Sequence, residues 1–192
     1  KMKRKVVAII GDNRIEENGI KYMLAFETGK VLVEAGYRVQ SGGLGGVMEA
    51  AFKGAHAAHN YQDGDTIAIV PSFARNEVNN YADIIIPTGL DIMRNAIVAN
   101  ADAVIAIGGG AGTLSEMAIA WSLFRLIIAY RNVDGWSREL ADRKLDSRVR
   151  YTGVDDKVHG VQCVSEMLDI LQKYEGVYNR VHSAIKFKGD IK

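Results

Sequence analysis

The sequence predicts an α/β protein: a single Rossmann-like, doubly wound parallel sheet with helices on both faces. Three observations carry this. Short runs of branched apolar residues are continuous rather than alternating, which marks strands buried on both faces. They alternate with segments of helical spacing, the order that builds a parallel sheet. Two strands also run straight into glycine-rich turns, SGGLGG (41–46) and GGGAGT (108–113), and ligands of such sheets sit at strand ends of this kind.

The elements follow in order. Residues 6–10 form a first strand behind a basic N-terminus, bounded by Gly11. Residues 17–35 have helical spacing, with Ile20, Met23, Leu24, Val31 and Leu32 able to share one face and Gly36 as the stop. Residues 38–40 are a second strand, 41–46 its glycine loop and 47–58 an alanine-rich helix. Residues 66–70 and 84–86 are strands ended by Pro71 and Pro87. Residues 90–100 are helical, with Asp91 as candidate cap. Residues 103–107 form a strand, 114–124 a helix and 126–130 another strand. Residues 131–156 are polar and charged, a long loop with room for a short helix. Residues 165–173 make a closing amphipathic helix capped by Ser165. One domain thus spans 1–174, and 175–192 form a C-terminal tail or arm.

Composition bounds the function. Apolar residues make up 48% and charged residues 24% of 192, as in an ordinary soluble globule. Lys and Arg number 24 against 23 Asp and Glu, so no global field draws nucleic acid or an anionic membrane, and neither is expected as a partner. The apolar run 6–10 is too short for a signal peptide core or a membrane span. Cys163 is the one cysteine, which excludes an intrachain disulfide and points to a reducing, cytoplasmic setting. Cys163 itself is expected to be a small buried residue. His56 and His59 read as a helix-end surface pair, and no metal site is expected.

The glycine loops carry the chemistry. A helix N-terminus offers unpaired N–H groups and partial positive charge, and glycine lets an anion approach them. The expected phosphate-binding residues are Gly11, Ser41, Gly42, Gly43, Gly45, Gly46, Gly108, Gly109, Gly110, Gly112 and Thr113. Neither loop is followed by Gly-Lys-Ser/Thr, and no G-x-G-x-x-G follows the first strand. ATP hydrolysis and NAD chemistry are therefore not indicated. Glu116 lies one turn into the helix, where a carboxylate suits the dipole. It can also reach a sugar ring while the loop holds phosphate, stabilising an oxocarbenium-like centre or orienting water. Arg94 stands at another strand-to-helix junction and can clamp phosphate or carboxylate.

Read together, SGGLGGVMEAAFKGA and MRNAIVANADAVIAIGGGAGTLSEMAIA resemble the Lonely Guy (LOG) family and its Rossmann-like superfamily, over about residues 6–171. Some members carry an old lysine decarboxylase label, yet neither loop holds the Schiff-base lysine that pyridoxal phosphate chemistry requires. The best-known branch splits cytokinin riboside 5′-monophosphates into base and ribose 5-phosphate, with the hallmark Pro-Gly-Gly-x-Gly-Thr-x-x-Glu and an upstream Arg-Lys pair. Gly109 to Glu116 match that hallmark, so the resemblance implies catalytic roles for Glu116 and, upstream, Arg94. Three features depart from it: Gly108 replaces the proline, Arg94-Asn95 replaces Arg-Lys one residue closer to the loop, and Gly11-Asp12-Asn13 replaces Gly-Ser-Ser. A second branch has an Arg-Asn pair, an all-glycine loop and a late Gly-Trp, like Gly135-Trp136. It includes molybdenum-cofactor carriers, which hold a phosphorylated pterin without catalysis, and the departures place the chain closer to it.

The resemblance therefore implies a nucleoside 5′-monophosphate phosphoribohydrolase or, as the alternative, a non-enzymatic carrier of molybdenum cofactor. No cofactor is required in the first case, and molybdenum cofactor is the bound ligand in the second. It also implies a homo-oligomer, dimer or tetramer, for which Met117, Trp121, Leu123 and Phe124 are the expected interface. Met23, Met48, Met93 and Met117, and likewise Trp121, are expected in core or interface.

Overall fold

A computed structural model describes residues 3–182. The strands are β1 Val6–Gly11, β2 Arg38–Ser41, β3 Thr66–Val70, β4 Ile84–Pro87, β5 Ala103–Ile107, β6 Leu126–Tyr130 and β7 His159–Val161. The helices are α1 Ile20–Glu34, α2 Val47–His56, α3 Asn95–Ala99, α4 Ala111–Ser122, α5 Trp136–Leu140 and α6 Val164–Tyr174. All strand pairs are parallel, in one sheet of order β4-β3-β2-β1-β5-β6-β7. This is the doubly wound α/β architecture the sequence predicts. The chain reverses its direction of travel between β1 and β5, whose last residues Gly11 and Ile107 lie in register. That reversal is the topological switch point, where such sheets open a crevice.

The continuous apolar runs of the strands follow from cover on both faces. Val7, Ile9, Ile105, Ile107 and Ile128 pack with residues of α1, α2 and α6. Ala8, Ile10, Val104, Ala106 and Ile127 point the other way, with Val98, Met117 and Trp121. Two core layers therefore sandwich the sheet.

The structure corrects several expectations. α1 starts at Ile20, because Asn18 takes a left-handed φ of 64° and Gly19 is extended. Its buried face is Ala25, Thr28, Gly29, Leu32 and Val33, while Ile20 and Met23 are 57% and 53% exposed. The cause is close packing on α2: Gly29 lies so near the Ala51 carbonyl that a Cβ has no room. Segment 90–100 divides into a 3-10 turn, Asp91–Arg94, and the short α3, and Asp91 makes no capping hydrogen bond. α6 begins at Val164 with Cys163, not Ser165, at its N-cap, and Cys163 is exposed rather than buried.

For the apolar residues of α4 the structure decides between core and interface. Met117 and Trp121 are 0% and 1% exposed within this chain, so they belong to its own core. Leu123 and Phe124 are half-buried. Met48 is in the core, whereas Met93 is exposed.

The 131–156 region is ordered by burial. The Arg150 guanidinium lies 3.5 Å from the Trp121 ring and donates to both Asp156 oxygens, at 3.0 and 2.6 Å. β7, which the sequence does not announce, pairs with β6 just beyond it. At the start of the tail Tyr178 is buried and donates to Asp156. The rest of the tail, from residue 183, lies outside the described residues. Among the described residues, no helix is long and apolar enough to cross a membrane.

Candidate functional site

The switch point carries a cleft of about 250 Å³. Ile10, Gly11, Asp12 and Asn13 come from β1 and its loop, and Leu44 and Met48 from the β2–α2 side. Arg94 and Asn95 enter from the α3 side, and Gly110, Gly112, Thr113 and Glu116 from α4.

α4 begins just after Gly110, which is extended, and no side chain caps it. The N–H groups of Gly110, Ala111, Gly112 and Thr113 find no acceptor among the described residues, as at the start of any uncapped helix. These donors carry the positive end of the helix dipole. Ser115 donates to the Gly112 carbonyl at 2.7 Å and accepts from Asn95 Nδ2 at 2.8 Å, which ties α3 to this first turn.

Arg94 is the second group without partners. It is 8% exposed, and its buried Nε and Nη1 have no hydrogen-bond acceptor. An unsatisfied buried donor costs about 1–3 kcal/mol, more when charged. Burial pulls its pKa below the ordinary arginine value, against the pull of Glu116 and Asp91. Gly42 makes the seat: a Cβ there would stand 2.5 Å from Nη1. Opposite lies Glu116, also 8% exposed, whose carboxyl is pushed up to about 7 by burial, with Arg94 working the other way. A guanidinium without acceptors, a carboxyl poised near neutrality and a turn of free amides thus share one small cleft.

The remaining sequence-expected residues take supporting positions. Ser41 is buried and its Oγ accepts the Gly43 amide at 3.1 Å. The Gly45 amide goes to Asn13 Oδ1 at 3.1 Å, and Gly46 is the N-cap of α2. Of the 41–46 loop only Leu44 lines the cleft. Gly108 and Gly109, both at positive φ, are engaged on all sides. The Gly108 amide donates to Ser137 Oγ at 2.8 Å and the Gly109 amide to Asp12 Oδ2 at 2.9 Å. Their carbonyls accept from Ser137 and Trp136 amides at 3.0 and 2.9 Å. The Gly135-Trp136 pair therefore braces the glycine turn from outside.

Sequence reasoning did not place Ile10, Asp12, Asn13, Leu44, Met48 or Asn95 in the site. Asp12, Asn13 and Asn95 stood out only as departures from a motif. Ser137 and Lys21 left no signal; Lys21 donates to Asp12 at 2.7 Å and lies 3.1 Å from Asp134 Oδ1. Among the described residues no group of three or more His, Cys, Asp or Glu gathers to hold a metal ion.

Comparison with known proteins adds three relationships and a family. The sequence profile of the SLOG cluster4 family matches residues 4–159. An uncharacterized protein of Archaeoglobus fulgidus is 40% identical over 120 residues, 62% of this chain and 75% of that protein. The molybdenum cofactor binding protein of the phototrophic bacterium Rippkaea orientalis superposes with a TM-score of 0.73 at 28% identity, covering 90% of this chain and 98% of that one. The molybdenum cofactor carrier protein of Chlamydomonas reinhardtii superposes with a TM-score of 0.70 over 88% and 98% of the chains; at 23% identity this is a likeness of fold.

Proposed function

The chain belongs to the SLOG cluster4 family, and from that premise we propose that it binds a small phosphorylated ligand in the β1–β5 cleft, with the phosphorylated pterin of molybdenum cofactor as cargo. The observation that carries this reading is the convergence of Arg94, whose buried Nε and Nη1 lack acceptors, with the four free amides from Gly110 to Thr113. Both features are satisfied by one phosphate group, through charge-assisted hydrogen bonds from the fork and the helix N-terminus. Ile10, Leu44 and Met48 add apolar surface beside it, suited to a flat ring. At about 250 Å³ the cleft takes a phosphate and an adjoining ring rather than enclosing a whole cofactor. The likeness to the Rippkaea protein supports the choice of pterin.

The test is retention. The protein is mixed with molybdenum cofactor released from a molybdoenzyme, passed through a desalting column, and the bound pterin is quantified by fluorescence after oxidation. Near-stoichiometric retention that Arg94→Met reduces about tenfold is expected, the loss of a charge-assisted contact. Equal retention by both proteins, or none by either, removes the carrier reading.

A second reading has its own observation, the Glu116 carboxyl held near 7 in the same cleft. A group with that pKa exchanges a proton at neutral pH and suits general acid–base work. In this reading Gly110, Gly112 and Thr113 hold the phosphate of a nucleoside 5′-monophosphate and Arg94 clamps it. Glu116 stabilises the ribose as the N-glycosidic bond breaks and orients the water that adds to C1′; one water proton goes to the departing base, giving free base and ribose 5-phosphate. Incubation with AMP decides: adenine release abolished in Glu116→Gln supports hydrolysis, and binding without release across a panel of monophosphates excludes it.

A further inference from the structure

The glycine turn at the switch point is the place where a Rossmann-like sheet meets the phosphates of its ligand. In this chain the innermost of those amides is already taken. Asp12 lines the cleft, and its Oδ2 accepts the Gly109 N–H at 2.9 Å, as a phosphate oxygen does in a bound complex. The same oxygen accepts the Lys21 ammonium at 2.7 Å. Lys21 is 18% exposed and held from its other side by Asp134 at 3.1 Å. Burial pulls the Lys21 pKa down, but the hydrogen bonds to Asp12 and Asp134 outweigh it, so the ammonium stays charged. The contact joins residues 97 apart in sequence and fixes the β1 loop to the β5–α4 turn.

We propose that Asp12 is a specificity-determining residue: its carboxylate is a built-in anion that fills the Gly109 amide and confines the cleft to ligands carrying one phosphate, while Lys21 neutralises that carboxylate so that the one phosphate is tolerated. This rests on the anion-site reading above. A single phosphate is served by the free amides of Gly110 to Thr113 and by Arg94. A second, contiguous phosphate needs further donors, and the next amide along the turn belongs to Asp12. It would also bring two anions together at short range, where repulsion in a partly desolvated cleft is worth more than in water. Without Lys21, even the first phosphate would meet an uncompensated carboxylate.

The experiment titrates inorganic phosphate and pyrophosphate calorimetrically into the full chain. The variants are Asp12→Ala, Asp12→Asn, Lys21→Met and the Asp12→Asn/Lys21→Met double variant, each checked by thermal melting. The wild type is expected to prefer phosphate. Asp12→Ala frees the amide and shifts the preference about tenfold toward pyrophosphate. Asp12→Asn keeps the shape and shifts it in the same direction, which carries the test if the alanine variant does not fold. Lys21→Met weakens phosphate about fivefold, and the double variant returns to within about twofold of the wild type. An unchanged phosphate-to-pyrophosphate ratio in both Asp12 variants overturns the specificity assignment. A double variant as weak as Lys21→Met overturns the neutralising role and leaves Lys21 a structural residue. A wild type that binds neither anion overturns the anion site itself, and this inference with it.

Discussion

Replacing Glu116 by glutamine should stabilise the protein above neutral pH. The carboxyl is 8% exposed, and its pKa is raised from 4.5 to about 7, chiefly by burial. In the unfolded chain it loses its proton near 4.5; in the folded chain it keeps it until about 7. Across that window the unfolded state binds fewer protons, so stability falls as pH rises. The favourable contribution is complete below 4.5 and gone above 7. At about 1.4 kcal/mol for each pH unit, the cost at pH 8 is on the order of 3 kcal/mol. Glutamine has nearly the same shape and no charge to desolvate. For a chain of this size the gain corresponds to a rise in Tm of about 8 °C at pH 8. Melting curves of both proteins at pH 4.5 and pH 8 make the comparison, the difference expected to open with pH. A difference that is constant with pH, or that favours the wild type at pH 8, refutes the picture of a neutral acid buried at a functional site.

Further outcomes follow from the same geometry. His159 is 4% exposed, and burial, with Lys157 adding, holds its pKa down near 4 against a normal 6.5. Its contribution is complete above 6.5 and lost as pH falls toward 4, on the order of 3 kcal/mol, so His159→Phe should flatten acid destabilisation measured by denaturant unfolding. Gly42→Ala places a methyl against the Arg94 guanidinium; phosphate affinity should drop about tenfold by calorimetry, with folding retained. We propose that the homo-oligomer interface is the exposed apolar surface of Leu90, Ile92, Met93 and Ile97, with Ile92 and Met93 73% and 70% exposed. Met93→Glu should then lower the sedimentation coefficient to that of a monomer.

The fold was readable because its strands are buried on both faces and leave uninterrupted apolar runs. What hid was whatever small residues or long-range contacts decide. The inward face of α1 is built on Ala25, Thr28 and Gly29, and a count of large apolar residues selects the opposite side. Met117 and Trp121 look the same in sequence whether they fill a core or a subunit contact. β7 has three residues, one of them Gly160, too few for any periodicity.

The candidate site divides in the same way. Gly110, Gly112, Thr113 and Glu116 sit on one local strand–turn–helix segment, and the structure gathers them with Gly11 and Arg94. Sequence could not tell which glycine amides remain free, because the acceptors of Gly108 and Gly109 come from Ser137 and Asp12. Gly42 serves by being absent from the space Arg94 occupies.

The most direct measurement of the central claim is a crystal structure grown with AMP or phosphate. Phosphate density is expected within hydrogen-bond reach of the Gly110 to Thr113 amides and of Arg94. Density at the 41–46 loop instead, or a cleft whose Arg94 stays without an acceptor at saturating ligand, would contradict it.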